Sequence, residues 1–157
     1  MATFRLATPA DLPALAQMRW DFRTEGRALP PPNSRPVFLA ACTEFLQEAH
    51  DSGRWAFWVA EQNGEIVAHA FVQRVRKVPN PNRLHDEIGY LTNVYTRPEM
   101  RNQGIGEGLL KRVLAWAGEQ DLELLLVWPS ERSRGLYERL GFAASEALER
   151  ELRTYQD

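Results

Sequence analysis

The feature that most constrains this chain is a glycine-containing loop between an apolar segment and an amphipathic one. The apolar segment, 88–95, predicts a β-strand, and the segment 105–118 predicts an α-helix. Between them the chain reads Arg-x-x-Gly-x-Gly, from Arg101 to Gly106. Glycines let a backbone approach a ligand closely, and a helix start offers unpaired N–H groups and a positive dipole end. The sequence therefore predicts a site for an anion, most often a phosphate.

Two well-known phosphate-binding loops do not match this segment. The dinucleotide fingerprint Gly-x-Gly-x-x-Gly needs a third glycine, where this chain has Leu109. The Walker loop needs Gly-Lys-Ser/Thr, which does not follow here. The glycine spacing alone also fits a plain strand-to-helix corner that binds nothing, so the wider sequence has to decide.

The longer stretch 95–106 resembles the acetyl-CoA-binding motif of the GCN5-related N-acetyltransferase (GNAT) family. That family places Arg/Gln-x-x-Gly-x-Gly/Ala after an apolar strand and a turn that contains proline, here Pro98. A second segment, 136–142, is similar to the family's Tyr-x-x-x-Gly-Phe segment, with Tyr137 as its tyrosine. Two matched segments in the right order, with a strand between them, are more specific than either one alone.

The predicted elements follow the order β-α-α-β-β-β-α-β-α-β-β. The strand–helix–strand unit around the loop predicts a parallel pair with a right-handed crossover, and Asn63-Gly64 predicts a tight antiparallel hairpin. We therefore expect an α/β fold whose mixed, mostly antiparallel central sheet carries helices on both faces, which the resemblance to acyl-CoA N-acyltransferases also implies. The predicted strands are 3–6, 54–61, 65–78, 87–95, 122–127, 142–147 and 148–155, and the predicted helices begin near Thr8, Ser34, Ile105 and Ser130.

Composition narrows the classes of function. A length of 157 residues, 44% of them hydrophobic, predicts one domain over residues 1–157, and the resemblance implies that it is an N-acetyltransferase domain. The net charge of −2 gives no general attraction to nucleic acid or to an anionic membrane, so an anion site has to be local. The single Cys42 excludes an internal disulfide and a cysteine-based zinc site, and no metal is expected. We expect a cytoplasmic protein, because no signal core or bilayer-spanning apolar run occurs.

The resemblance implies direct transfer of an acetyl group from acetyl-CoA, a co-substrate, to a primary amine. Backbone N–H groups of the loop would hold the pyrophosphate, and Arg101 would either bind phosphate or brace the loop. A backbone N–H within 94–96 would polarise the thioester carbonyl, and the pantetheine arm would pair with this segment as an added strand. The implied coenzyme-binding residues are Val94, Tyr95, Thr96, Arg101, Asn102, Gln103, Gly104, Ile105, Gly106, Ser130, Ser133 and Tyr137.

Tyr137 lies where the family commonly has a tyrosine beside the coenzyme sulfur, which implies that it protonates the leaving thiolate. A phenol pKa of about 10 is close enough to a thiol pKa of about 8.5 for the transfer to be feasible. A tyrosine that only packs on an amphipathic helix is the alternative. One departure from the family is Ser130, which stands where relatives often have asparagine, seven residues before the tyrosine.

Glu87 is the candidate general base, because some relatives carry a catalytic glutamate near the start of this strand. Counting back from Arg101 places Ile88 at the matching position, and one residue reverses the side-chain face unless a bulge restores it. The alternatives are His69, His85, Asp86 and a relayed water.

We expect the pocket for the acceptor to form from the first two helices, their proline-rich connection and the final hairpin. The acceptor is a small-molecule or peptide amine that the sequence does not identify. Aromatic residues at this spacing are also typical of a core. The edges of the final hairpin would let two copies pair as a homodimer. The candidate pocket residues are Trp20, Phe22, Arg23, Arg27 and Tyr155.

Two other functions remain open at this point. Ser130 and the absence of a clear base also fit a non-catalytic acyl-CoA-binding or sensor protein on the same scaffold. A protein-interaction domain that uses no coenzyme is the third possibility.

Overall fold

The computed structural model describes residues 1–154, and within them a central sheet with strand order β1-β2-β3-β4-β5 organises the chain. The first four strands pair antiparallel, and β4 pairs with β5 in parallel. Short 3₁₀ turns at Pro9–Asp11 and Pro98–Met100 precede two of the helices. The elements are β1 (Thr3–Leu6), α1 (Leu12–Thr24), α2 (Arg35–Ser52), β2 (Trp55–Gln62), β3 (Glu65–Arg76), β4 (Glu87–Thr96), α3 (Ile105–Glu119), β5 (Leu125–Leu126) and α4 (Glu131–Arg139).

The sheet is buried on both faces, as the apolar run in β2 predicts. Ala56 and Trp58 belong to a cluster with α3 and α4, whereas Phe57 and Val59 belong to a cluster with α1 and α2. Successive strand residues point to opposite faces, so an unbroken apolar run supplies side chains to two cores. The predicted fold class, a mixed and mostly antiparallel sheet with helices on both faces, is therefore confirmed.

A β-bulge at Asn93 interrupts this alternation in β4. The register with β3 runs from Phe71↔Thr92 to His69↔Tyr95, so β4 contains one extra residue, and Asn93 has φ 51°. Leu91 therefore packs against the α3 cluster while Tyr95, four residues later, packs against the α1–α2 cluster. Without the bulge both side chains would share one face.

Local sequence signals account for the hairpin turn between β2 and β3 and for the end of α4. Asn63 and Gly64 both adopt positive φ, 54° and 79°, as a tight hairpin turn requires. After α4, Gly141 donates its N–H to the Glu138 carbonyl and Phe142 donates to the Tyr137 carbonyl, at 3.1 and 3.0 Å. This is the Schellman pattern, in which Phe142 also contacts the Tyr137 ring with centroids 5.4 Å apart. The Tyr-x-x-x-Gly-Phe segment therefore ends a helix.

The predicted strand at 122–127 is shorter than expected and is not buried. Only Leu125–Leu126 forms β5, a half-buried strand at the edge of the described sheet. Leu122 and Val127 are partly buried and still pack against the α3 cluster, whereas Leu124 is exposed. The prediction failed because apolar residues can pack against a core without pairing in a strand.

The two final strands were predicted wrongly: residues 142–154 form no strand, and Tyr155 lies outside the described residues. Leu148 and Leu152 are exposed, and the charged residues between them leave no apolar face to bury. The hairpin edge expected to mediate a homodimer is therefore missing from 142–154. Among the described residues, no helix is both long and apolar enough to cross a membrane.

Two glycines of α3 offer a matched test of this packing. A Cβ on Gly108 would lie 2.7 Å from Cζ of Phe4, whereas a Cβ on Gly118 would meet nothing within 4 Å. We expect Gly118→Ala to stabilise the protein by about 0.5–1 kcal/mol, because alanine favours helix. Gly108→Ala should destabilise it by about 1–3 kcal/mol, because β1 or α3 has to shift. Urea unfolding of both variants measures the difference, and a gain in stability for Gly108→Ala would contradict the packing.

Candidate functional site

A cleft of about 870 Å³ opens where β4 and β5 part. The two strands pair only at Gly89↔Leu125 and Tyr90↔Leu126, although β4 continues to Thr96. The cleft is lined by α1, by β4 beyond Tyr90, by the glycine loop with the start of α3, and by α4. The β5 side of residues 91–96 therefore faces the cleft instead of a neighbouring strand.

The glycine loop presents unpaired N–H groups to this cleft. Gly104 is the N-cap of α3 with φ 78°, and it provides no side-chain cap. The first N–H of the helix that finds a backbone acceptor belongs to Gly108, which donates to the Gly104 carbonyl at 2.9 Å. Within residues 1–154, the N–H groups of residues 102–107 have no hydrogen-bond acceptor. A helix start in this state binds anions, because its N–H groups and its dipole both favour negative charge.

The glycines also bring the start of α3 close to β4. A Cβ on Gly106 would lie 3.1 Å from Oγ1 of Thr96. Asn102 adopts φ 60°, a conformation that asparagine tolerates better than most residues. The side chains of Asn102 and Gln103 are exposed, and Gln103 donates to the Glu99 carbonyl at 3.3 Å. Ile105 is buried in the α3 cluster and anchors the helix start.

Arg101 braces the loop. Its Nε donates to the Thr96 carbonyl at 3.0 Å, and both terminal nitrogens lie 2.8 Å from the carboxylate of Glu25. Its guanidinium also lies over the Tyr95 ring, 5.5 Å from the centroid. Since Glu25 is the C-cap of α1, this side chain connects the loop to the end of α1. Of the two roles that the sequence left open for Arg101, the geometry favours the brace.

Tyr137, Ser130 and Ser133 line the cleft from α4. Tyr137 is buried, and burial raises the pKa of its hydroxyl to about 12. Ser130 caps α4, accepting from the Ser133 N–H at 3.3 Å, and the two hydroxyl oxygens lie 2.8 Å apart. The two serines therefore hydrogen-bond to each other at the start of α4. Among the described residues, Tyr137 is the α4 residue whose hydroxyl has no hydrogen-bond partner.

The bulge in β4 is held from two sides. Nδ1 of His69 lies 2.7 Å from the Asn93 carbonyl, so Nδ1 carries the proton and donates it. Nη1 of Arg19 donates to the side-chain oxygen of Asn93 at 3.0 Å. Asn93 and Val94 have no register partner on β3 or β5. The backbone at Val94 is therefore fixed in place by side chains and stays outside both ladders.

His69 itself is fully buried against Phe71 and Tyr95. Burial lowers the pKa of its imidazole to about 4, although the hydrogen bond to Asn93 acts in the opposite direction. Its Nε2 has no hydrogen-bond partner among the described residues. The ring is therefore neutral at physiological pH and does not line the cleft.

The structure does not support Glu87 as the base. Its carboxylate accepts from Arg74 at 3.0 and 3.2 Å. It lies at the opposite end of β4 from the loop, seven residues before Val94, which corresponds to roughly 23 Å of strand. The bulge at Asn93 changes which face Glu87 shares with the loop, but it cannot shorten that distance.

The other two candidate bases also lie away from the cleft. Asp86 is paired with Lys77 and Arg83, each at 3.1 Å, and His85 is exposed. In the part of the chain that the structure describes, no cluster of three or more His, Cys, Asp and Glu residues could hold a metal ion.

On the α1 side, the structure brings Phe22 and Arg23 to the cleft and leaves other predicted residues elsewhere. Trp20 packs on Phe38 with centroids 5.5 Å apart, and Arg27 is exposed. Arg19 also lines the cleft, and the sequence analysis missed it. Its position four residues before Arg23, on the same helix face, is the signal that could have revealed it.

Comparisons with known proteins agree with this geometry. The model of the Acetyltransferase (GNAT) family matches residues 12–142. An aminoglycoside N(6')-acetyltransferase type 1 from Stenotrophomonas maltophilia is 31% identical over 114 residues, which is 73% of this chain, and the chain spans 66% of that protein's length.

Two solved structures share the fold over nearly the whole chain. A predicted acetyltransferase from Clostridium acetobutylicum, solved with acetyl-CoA, has a TM-score of 0.80 and 26% identity, covering 97% of each chain. A GCN5-related N-acetyltransferase from Ralstonia eutropha has a TM-score of 0.77 and 23% identity, covering 97% of this chain and 99% of that one.

The buried His69 predicts a loss of stability in mild acid. The pKa of His69 is about 4 in the folded protein and 6.5 for an exposed histidine, so the unfolded chain binds more protons between these values. Stability is full above pH 6.5 and falls as the pH drops toward 4. Between pH 7.5 and pH 5, the free energy of unfolding should fall by about 2 kcal/mol.

Urea unfolding of His69→Gln at the same pH values should lack this part of the decrease, because glutamine does not titrate. His85→Gln is the control, since His85 is exposed. An equal acid dependence in wild type and His69→Gln would show that His69 is not the responsible group.

Proposed function

The chain belongs to the acetyltransferase (GNAT) family, and from this premise we propose that it is an N-acetyltransferase that moves an acetyl group from acetyl-CoA directly to a primary amine. In this proposal residues 1–157 form one catalytic domain. The observation that carries it is the set of unpaired N–H groups at residues 102–107, next to the open edge of β4. The N–H groups of the loop suit a diphosphate, and the open edge of β4 suits an extended chain with amide groups. Coenzyme A contains both.

The residues present fit acetyl-CoA, which when bound supplies an activated thioester. The loop can accept anionic oxygens only because Gly104 and Gly106 keep the backbone open, and no protein side chain caps α3. Asn102, Gln103 and Ile105 contribute main-chain N–H groups, while Arg101 holds the loop in shape through Thr96 and Glu25. Val94 and Thr96 offer backbone groups at the β4 edge, and Tyr95 turns its side chain toward α1 and α2.

We assign the polarisation of the thioester carbonyl to the main-chain N–H of Val94. This residue lies outside the β3 and β5 ladders and borders the cleft. A fixed donor stabilises developing negative charge better than a mobile one, because no reorganisation is needed during the reaction. Here His69 and Arg19 supply the rigidity through Asn93.

Tyr137 acts on the leaving sulfur in this proposal. With a pKa of about 12 its hydroxyl is protonated at neutral pH and can donate a hydrogen bond to a developing thiolate. Complete proton transfer to a free thiolate, whose conjugate acid has a pKa of about 8.5, would be uphill by about 5 kcal/mol. Burial of the thiolate in the same cleft raises the pKa of its thiol and narrows that gap.

Water is the proposed acceptor of the amine's proton. Among the described residues, the cleft lining contains no histidine, and its carboxylate, Glu107, pairs with Lys111 at 3.2 Å. A positioned base contributes less when the thioester is already activated and the amine arrives neutral. Holding the two substrates in line then supplies most of the catalysis, worth roughly 7–11 kcal/mol.

The missing side-chain base also favours a second candidate, a protein that binds acyl-CoA without catalysis. Both candidates require coenzyme binding, so they differ only in the release of free thiol when an amine is present. Incubating the protein with acetyl-CoA and a broad amine panel separates them.

Gly104 and Gly64 provide a matched pair for testing the anion site. Both have positive φ, 78° and 79°, and a Cβ on either would meet nothing within 4 Å. Alanine should therefore destabilise both variants by a similar amount, about 1 kcal/mol. Only Gly104 lines the cleft, so only Gly104→Ala should weaken acetyl-CoA binding, by about tenfold or more, which is 1.4 kcal/mol. Calorimetric titration gives the two affinities, and equal values would remove the loop from the binding site.

Tyr137→Phe tests the role of the hydroxyl. The variant keeps the ring contact with Phe142 and should fold normally. We expect kcat to fall roughly 100-fold, since a hydrogen-bond donor to the leaving group is lost, with acetyl-CoA affinity nearly unchanged. Thiol release and calorimetry provide the two readouts. An unaltered kcat would leave Tyr137 as a packing residue.

A further inference from the structure

The cleft is cationic in a chain whose net charge is −2. Among the described residues that line it, Arg19, Arg23, Arg101, Arg132 and Arg139 are basic, and Glu107 is acidic. Arg101 is neutralised by Glu25, and Glu107 by Lys111. Arg19, by contrast, has no ion-pair partner among residues 1–154.

The remaining arginines divide between two sides of β4. Arg132 and Arg139 belong to α4, and Arg132 is close enough to Glu25, beside the glycine loop, to help lower the pKa of that carboxyl. Arg132 therefore lies near the loop where the coenzyme phosphates are proposed to bind. Arg19 and Arg23 belong to α1, which packs on the opposite face of the sheet from α3 and α4, and in the proposed function the acceptor approaches from this side.

Arg19 lies beside the proposed reaction centre. It donates to the side chain of Asn93, directly before Val94, and its guanidinium lies 5.8 Å from the Phe22 ring centroid. The hydrogen-bond partner is a neutral amide, and no ion pair within residues 1–154 involves Arg19. A partly buried cation without a counter-ion is destabilising, and an anionic ligand relieves it.

Among residues 1–154, the titratable groups that act on Arg19 carry no carboxylate. Burial lowers the pKa of the guanidinium, and the neighbouring Arg23 lowers it further. Cys42 and Tyr90 face it as well, and burial raises the pKa of the Cys42 thiol, so that thiol stays neutral.

We infer that the acceptor is an amine that also carries an anionic group, a carboxylate or a phosphate, and that this group binds Arg19. The inference rests on the proposed function and names the substrate class of the same site. An arginine holds either anion through paired N–H donors, and its charge also favours the neutral, nucleophilic form of the nearby amine. A polycationic amine would meet like charge from Arg19.

Paired acceptors test the inference. Initial rates of thiol release would be measured with L-amino acids against their amides, with 2-aminoethyl phosphate against ethanolamine, and with spermidine as the polycation. In the wild-type protein we expect at least one anionic member to exceed its neutral partner in kcat/KM by about tenfold or more, the effect of one charged hydrogen bond. The carboxylate and phosphate pairs identify which anion is preferred.

Arg19→Gln should reduce that ratio to near one, mainly by raising KM for the anionic member, while Arg19→Lys should retain most of it. A purely structural role of Arg19 at the bulge would lower both members of a pair equally and leave the ratio unchanged. An unchanged ratio in Arg19→Gln, or a preference for spermidine over every anionic amine, overturns the inference and leaves the proposed function standing.

Absence of thiol release with every amine would instead overturn the proposed function. In that case, binding to CoA-saturated protein still decides the inference. Anionic amines should raise the melting temperature of wild type but not of Arg19→Gln, and inorganic phosphate and acetate serve as controls for the anion alone. No rise with any anionic amine overturns the inference.

Discussion

Main-chain N–H groups that lack an acceptor are the constraint on which the rest of this structure depends. Two sets of unpaired backbone groups border one open cleft, where a ligand can take the place of the water that hydrates them. β4 loses its neighbour beyond Tyr90, and α3 starts without a cap at Gly104. The Arg101 brace, the Asn93 bulge and the α4 cap hold these N–H groups in position and do not accept hydrogen bonds from them.

The sequence predicted the architecture wherever a local signal had a specific physical cause. Asn63-Gly64 fixed the hairpin through positive φ, and Gly141-Phe142 ended α4 through a Schellman pattern. The predictions failed where partners decide the outcome. The length of β5 depends on where β4 diverges from it, and the final pair of strands would have needed an apolar face that exposed Leu148 and Leu152 do not provide.

The candidate site was predictable only in part, because main-chain contacts leave little trace in a sequence. The glycine loop was identifiable, since its glycines allow positive φ and a close approach of the backbone to a ligand. The role of Arg101 required knowing that Glu25, far away in the chain, lies beside it. Glu87 and Arg19 show the same limit. The length of β4 places Glu87 away from the cleft, whereas the packing of α1 brings Arg19 to it.

Asn93 also determines which core each later residue of β4 joins. It acts as a one-residue insertion that exchanges inside and outside for everything downstream in the strand, which is why Leu91 and Tyr95 occupy different clusters. If β4 kept Asn93 but paired with β3 without a bulge, Tyr95 would turn toward α3 and Val94 toward α1, whereas deleting Asn93 would leave both side chains on their present faces. The bulge at this one residue therefore sets the face to which every later side chain of β4 points.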